Sequence, residues 1–189
     1  MMGVYPKEVI CLKKIEEIQK FLREEDVDAA FITTPDNVFY LSGFNSNPHE
    51  RLLGVMAFKA AEPFVICPLM EVPDVIATGW PFEVVGYSDT EDAWDIVVKA
   101  VQKRGLTLTS VAIEKSHLTV ERLEIMNRLF PGAKFSRLDE QLNTMRVIKD
   151  AEERRHLRKA AELAEYAIEV GCKEITEGKK ELKVLMAIR

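Results

Sequence analysis

The sequence has few cysteines and no long apolar run. Its three cysteines, Cys11, Cys67 and Cys172, are odd in number, far apart and without C-x-x-C spacing, so we expect neither a disulfide framework nor a zinc site. No apolar stretch approaches the ~20 residues that a membrane-spanning helix needs. Residues 1–22 also lack the continuous apolar core of a signal peptide. These absences favour a globular protein of the reducing cytoplasm with no membrane partner.

The sequence also lacks an excess of positive charge and the common catalytic motifs. Its formal net charge is −5, and because phosphate binding needs a basic surface, nucleic acid is not an expected partner. The histidines, His49, His117 and His156, form neither an H-x-x-x-H nor an H-E-x-x-H motif. Ser42-Gly43 lacks the G-x-S-x-G elbow. We therefore identify no catalytic residue and no metal-ligand set in this chain, and a Cys–His pair stays open only through tertiary contact.

The sequence does contain six strand-like runs separated by helical patterns. The second and third runs are joined by residues 59–62 alone, and so short a connection predicts an antiparallel hairpin. Strands that alternate with amphipathic helices predict a sheet covered on both faces. The predicted fold is therefore α/β, with a mixed, roughly six-stranded sheet and helices on both faces. The six runs are DAAFITTP, RLLGVMAF, PFVICPLM, FEVVGYS, SVAIE and AKFSRL.

The character of the sequence changes after Asp139, where no further strand is predicted. The stretch DAEERRHLRKAAELAEYAIEVGCKEI predicts one long helix with an apolar stripe. Gly178 then precedes a second helical pattern at the C-terminus. We place a domain boundary near residue 140, which gives a first domain of residues 1–140 and a C-terminal helical extension of residues 141–189. The stripe consists of Leu157, Ala161, Ala164, Ile168, Cys172 and Ile175.

Three stretches together resemble the creatinase/prolidase family. TTPDNVFYLSGF followed by HERLLGVMAF is similar to the strand-then-helix element near the start of the family's N-terminal domain. MRVIKDAEERRHLRKAAELAEYAI is similar to the segment that opens its catalytic domain, and EGKKELKV resembles a turn and helix start written G-x-T-E-x-E-L. The chain departs from the family pattern at Lys180, Lys183 and Arg154.

This resemblance implies a parent similar to Xaa-Pro dipeptidase or aminopeptidase P. Such enzymes join an α/β N-terminal domain to a pita-bread catalytic domain, which binds two divalent metal ions, such as Mn or Co, through two Asp, one His and two Glu. These ligands lie beyond the last helix of this chain. The resemblance thus implies that residues 141–189 are the leading helices of a truncated catalytic domain. We expect the chain alone to be metal-free and inactive, to self-associate as a homodimer, and to lack its catalytic partner domain.

The candidate site residues, by the same resemblance, lie in FNSNPHERLL: Phe44, His49, Glu50 and Arg51. In dimeric members the N-terminal domain of one subunit borders its neighbour's active site, and an arginine fork there can bind the carboxylate of a peptide terminus. The alternative is a solvated loop whose Arg51 pairs with a nearby acid. Two other functions stay open: a stand-alone binding or assembly module, and the N-terminal portion of a creatinase-like amidinohydrolase.

Overall fold

The computed structural model describes residues 7–188 of the chain. Residues 1–6, which belong to the N-terminal stretch discussed above, and Arg189 lie outside the described residues. The chain divides into two compact units, Met1–Met145 and Arg146–Arg189. None of the helices within residues 7–188 is both long and apolar enough to cross a membrane.

The first unit is built on one six-stranded sheet. In chain order its strands are β1 (Ala29–Ile32), β2 (Gly54–Phe58), β3 (Phe64–Pro68), β4 (Glu83–Tyr87), β5 (Ser110–Ile113) and β6 (Lys134–Arg137). Their order across the sheet is β4-β3-β2-β1-β5-β6. β2 pairs antiparallel with both β1 and β3, and the other neighbouring pairs are parallel. The predicted mixed sheet and the predicted hairpin are confirmed.

Helices precede, join and follow these strands. They are α1 (Lys7–Glu24), α2 (Pro35–Ser42), α3 (Val72–Ala77), α4 (Ala93–Lys103), α5 (Val120–Leu129) and α6 (Asp139–Val147). A 3-10 turn, Leu69–Glu71, leads into α3. The side chains of Leu142 and Met145 in α6 are buried in the core. For that reason the first unit extends to Met145, beyond the boundary that the sequence places near residue 140.

The sheet needs cover on both faces because its central strands are apolar on both. Every residue of β1, β2 and β3 is buried, and a strand with apolar side chains at successive positions presents them to opposite faces. On one face α1 contributes Ile15 and Ile18 to the core. On the other face α4 contributes Val97 and Val101, and α5 contributes Met126. The predicted cover of helices on both faces is therefore confirmed.

Asp28 joins the amino ends of the neighbouring strands β1 and β5. One carboxylate oxygen accepts hydrogen bonds from the Thr109 amide at 2.7 Å, the Thr109 hydroxyl at 2.8 Å and the Ser110 amide at 3.0 Å. Burial raises the pKa of Asp28, but these hydrogen bonds outweigh burial and leave the pKa below its ordinary value of 3.8. The ionised form of Asp28 therefore stabilises the folded chain.

Replacing Asp28 by asparagine is expected to lower the free energy of unfolding at neutral pH by about 1 kcal/mol, because a neutral amide accepts weaker hydrogen bonds than a carboxylate. Since the pKa of Asp28 is depressed in the folded chain, its contribution is present above pH 3.8 and is lost as the pH falls through the folded-state pKa. Urea unfolding at neutral pH and at about pH 2 should show the two proteins differing at neutral pH and converging in acid.

The control for this measurement is Asp95→Asn, which neutralises an exposed aspartate in the first turn of α4. We expect this variant to follow the wild type at both pH values within about 0.5 kcal/mol. An Asp28→Asn difference of the same size at both pH values would contradict the linkage between the carboxylate and stability.

The second unit consists of α7 (Ala151–Glu174) and α8 (Glu181–Ile188). α7 begins with a capping box: the Asp150 carboxylate accepts from the Glu153 amide at 2.8 Å, and the Glu153 carboxylate accepts from the Asp150 amide at 3.0 Å. The helices turn at Gly178, whose φ of 81° suits glycine. The predicted helical extension is thus confirmed. Its large apolar side chains are exposed, among them Leu157, Leu163, Tyr166, Ile168, Ile175, Leu182 and Met186.

Candidate functional site

The candidate residues lie in the loop that joins α2 to β2. β2 begins beside the end of β1, since Val55 pairs with Ile32. It begins beside the middle of β3, since Gly54 pairs with Ile66, and β3 runs on from there towards the loop. The loop therefore lies at the edge of the sheet where the parallel strands have their carboxyl ends. In α/β proteins this edge is the usual place for a binding site.

Phe44 differs from the other candidate residues because its side chain is buried. Its side chain is 5% exposed and belongs to the core cluster that also holds Val38 and Leu41 of α2. The Phe44 amide donates to the Ser42 hydroxyl at 3.1 Å, and Gly43 ends α2 with a φ of 73°. Phe44 thus fixes the start of the loop, and its ring does not line the pocket described below.

His49 and Glu50 are both exposed at the tip of the loop. His49 has a φ of 51°, a left-handed conformation that is uncommon outside glycine but is adopted more often by Asn, Asp and His than by other residues. Its amide donates to the Asn47 side-chain oxygen at 3.4 Å. The chain therefore turns at His49, at the exposed tip of the loop.

Arg51 is paired with an acid, as the alternative interpretation of the loop proposed. Its Nη2 donates to Oδ2 of Asp89 at 3.1 Å, and its Nη1 lies 3.7 Å from the sulfur of Met70. The Arg51 side chain is 38% exposed and that of Asp89 is 72% exposed. Because solvent screens the pair, it contributes little to stability, and its main effect is to restrict the guanidinium in space.

Glu50 and Arg51 line an open pocket of about 400 Å³, a volume within the range of small-ligand sites. The opposite walls come from the end of β4, from the chain that follows it and from two helices. They include Tyr87, Asp89, Trp94 of α4 and Arg122 of α5. None of these four was among the site residues predicted from the sequence. The pairing of β4 with β3 brings Tyr87, Asp89 and Trp94 to the loop, and the pairing of β5 with β1 brings Arg122 there.

Tyr87 ties the end of β4 to the residue that follows Arg51. Its hydroxyl donates to the Leu52 carbonyl at 3.0 Å and accepts from the Leu52 amide at 2.8 Å. Burial raises the pKa of Tyr87, so the hydroxyl keeps the proton that it donates. Both backbone groups of Leu52, which is buried, are thereby satisfied.

The described residues do not fit a two-metal centre. Among the side chains that the structure describes, those of residues 11–188, no three His, Cys, Asp or Glu are arranged so that they could hold a metal ion. The three cysteines are free, with Cys11 and Cys67 buried and Cys172 exposed. Burial raises the pKa of Cys67 to about 12, so that its thiol is neutral and a poor ligand or nucleophile.

The comparisons with known proteins agree with this fold. Residues 14–148 match the sequence model of the Creatinase/Prolidase N-terminal domain. The putative dipeptidase YkvY of Bacillus subtilis (strain 168) is 41% identical over 177 residues, which cover 94% of this chain and 49% of that protein. An Xaa-Pro dipeptidase of Lactobacillus delbrueckii subsp. lactis is 34% identical over 175 residues, covering 92% and 48%. The chain spans about half the length of the curated relatives it matches.

Solved structures give the same answer for the fold. The N-terminal domain of the Xaa-Pro dipeptidase from Lactobacillus brevis matches with a TM-score of 0.67 and 32% identity, covering 69% of this chain and 98% of that one. The prolidase from Pyrococcus horikoshii OT3 matches with a TM-score of 0.77, covering 93% of this chain and 47% of that one; at 24% identity it supports the fold alone. Since the family model accounts for the sheet and both of its helical layers, this chain belongs to the creatinase/prolidase N-terminal domain family.

Proposed function

We propose that this chain is the non-catalytic N-terminal portion of a prolidase-like metallopeptidase whose parent reaction is the hydrolysis of Xaa-Pro peptide bonds. The observation that carries the proposal is the match to relatives named as dipeptidases. The match covers nearly the whole of this chain and about half the length of each relative. In this proposal the two divalent metal ions of the parent are held by its catalytic domain, and residues 7–188 serve dimerisation and substrate access.

The pocket supports a role in substrate access. It is open to solvent at the carboxyl edge of the sheet, and Arg51 places a positive charge on its wall. A guanidinium binds a carboxylate through two parallel hydrogen bonds, and an Xaa-Pro dipeptide ends in a carboxylate. In a homodimer of the parent, we propose that this edge of one subunit borders the active site of the other, where His49, Glu50 and Arg51 contact the peptide.

A chimaera tests the proposed function. This chain replaces the matching segment of the Lactobacillus delbrueckii Xaa-Pro dipeptidase, and hydrolysis of an Xaa-Pro dipeptide is measured with added Mn²⁺, with the unmodified relative as the control. We expect the chimaera to hydrolyse the dipeptide and the 189-residue chain alone to show no turnover. Size-exclusion chromatography and circular dichroism establish that both proteins are folded.

Two outcomes would overturn the proposal. Turnover by the purified chain alone contradicts a non-catalytic role. A folded chimaera without peptidase activity contradicts the prolidase-like parent. Because the catalytic domain of the chimaera comes from the relative, the alternatives are tested on the full-length parent. Hydrolysis of creatine by that protein would favour the creatinase-like alternative, and hydrolysis of neither creatine nor an Xaa-Pro dipeptide would favour a binding or assembly module.

A further inference from the structure

The Arg51 guanidinium is held from the carboxyl end of β4. Two contacts come from neighbouring positions of the same segment: Asp89 binds the guanidinium at 3.1 Å, and Tyr87 binds both backbone groups of Leu52. Tyr87 and Asp89 are separated by one residue, and the two residues that they contact, Leu52 and Arg51, are adjacent in the chain. The backbone beside Arg51 and the tip of its side chain are therefore both held by residues 87–89, at and just after the end of β4.

Further contacts anchor the rest of the loop. The Ser46 hydroxyl donates to Oε1 of Glu71 at 2.8 Å. Arg122 Nη2 lies 3.4 Å from the carbonyl oxygens of Glu50 and Arg51, which is long for a hydrogen bond and makes this the weaker anchor. The loop is thus fastened to the 3-10 turn, to the end of β4 and to α5, although its tip is exposed.

Fixing an arginine in advance matters for binding because its side chain is long and flexible. A free arginine loses rotamer freedom when it binds a ligand, and a restricted one has already lost it. A guanidinium has five N–H donors, of which the contact with Asp89 uses one on Nη2. Asp89 can therefore orient Arg51 without saturating it, and a ligand carboxylate can still be bound.

We propose that Tyr87 and Asp89 are positioning residues for Arg51. Tyr87 fixes the backbone that follows the arginine, and Asp89 fixes the direction of the guanidinium, so that Arg51 meets a substrate carboxylate with its rotamer already set. This inference rests on the proposed role of the loop in substrate access. It adds two residues that do not themselves contact the substrate.

Steady-state kinetics of the chimaera on an Xaa-Pro dipeptide test the inference. Arg51→Ala is expected to raise KM about tenfold with little change in kcat, because a charge-assisted contact to bound substrate is lost. Asp89→Ala should raise KM about threefold. Asp89→Glu keeps a carboxylate at this position, and its KM should therefore lie close to that of the chimaera without substitutions. The double variant Arg51→Ala, Asp89→Ala should have the KM of Arg51→Ala alone, because Asp89 acts only through the arginine.

Asp95→Ala is the matched control, since it removes the same charge from an exposed position in the first turn of α4. We expect it to leave KM unchanged. A second measurement uses the chain alone: the ¹⁵N side-chain resonance of the Arg51 Nε–H should show restricted motion in the wild type and in Asp95→Ala, and increased motion in Asp89→Ala and Tyr87→Phe.

The outcomes separate this inference from the proposed function. If Arg51→Ala raises KM while Asp89→Ala leaves KM and the Arg51 resonance unchanged, the positioning role is overturned and substrate access stands. An additive rise in KM in the double variant also overturns the positioning role. If the active chimaera has the same KM with and without Arg51, the substrate-access role itself fails.

Discussion

Replacing Glu114 by alanine is expected to lower the free energy of unfolding by about 3 kcal/mol. Glu114 directly follows β5 and is 2% exposed. Its carboxylate accepts from the Thr33 amide at 2.6 Å, the Thr34 amide at 2.8 Å and the Asn37 side-chain amide at 2.5 Å. Alanine leaves all three donors without this acceptor, and a buried donor that loses its partner costs about 1–3 kcal/mol.

The position of these donors adds to the expected cost. Thr34 is the N-cap of α2, and its own side chain makes no capping hydrogen bond. The Glu114 carboxylate lies at this helix terminus and supplies the negative charge that the helix dipole favours there. The Glu114 side chain therefore links the end of β5 to the end of β1 and to the start of α2.

Thermal unfolding measures this effect directly. A loss of about 3 kcal/mol corresponds to a fall in Tm of roughly 6–12 °C for a chain of this length. Glu124→Ala, which removes an exposed carboxylate from α5, should change Tm by less than about 2 °C. Glu114→Gln should lie between the two, since the amide oxygen replaces one acceptor. Equal Tm values for Glu114→Ala and Glu124→Ala would refute the structural role of Glu114.

Replacing Gly54 by alanine is expected to destabilise the fold by about 3 kcal/mol or more. A Cβ atom at this position would lie 2.7 Å from the Phe31 ring and 2.9 Å from the Ile32 carbonyl oxygen. That oxygen belongs to β1, which is hydrogen-bonded to β2 on one side and β5 on the other. Relief of the clash therefore requires a shift of the central strand.

Gly105→Ala provides the contrast, measured by urea unfolding. Gly105 has a φ of 68°, and nothing lies within 4 Å of the position of a Cβ atom, so only the strain of the left-handed backbone, about 1 kcal/mol, is expected. If Gly54→Ala were no more destabilising than Gly105→Ala, the close approach at the start of β2 would not limit stability.

The elements of the fold could be predicted because their signals are local. The strands β1 to β5 are mainly apolar runs between turn residues, and the connection between β2 and β3 is short enough to indicate a hairpin. The contribution of α6 to the core could not be predicted in the same way. α6 holds only a few apolar residues, and Leu142 and Met145 can be recognised as core residues only once the sheet on which they pack is known.

The candidate site also has a part that the sequence predicts and a part that it does not. His49, Glu50 and Arg51 stand together in the sequence and could be singled out from it. Their partners could not, because Asp89 lies 38 residues away and Arg122 lies 71 residues from Arg51. The charges of such residues are visible in the sequence, but their neighbours depend on the order of strands across the sheet.

The order of the strands also has a consequence during synthesis of the chain on the ribosome. β1 lies in the middle of the sheet, yet Asp28 at its start bonds to Ser110, which is 82 residues away. The hairpin that follows covers one edge of β1 soon after β1 is made, while the other edge waits for β5. Throughout this interval a wholly apolar strand has an open edge, which is the kind of segment that chaperones bind and that aggregates when crowded.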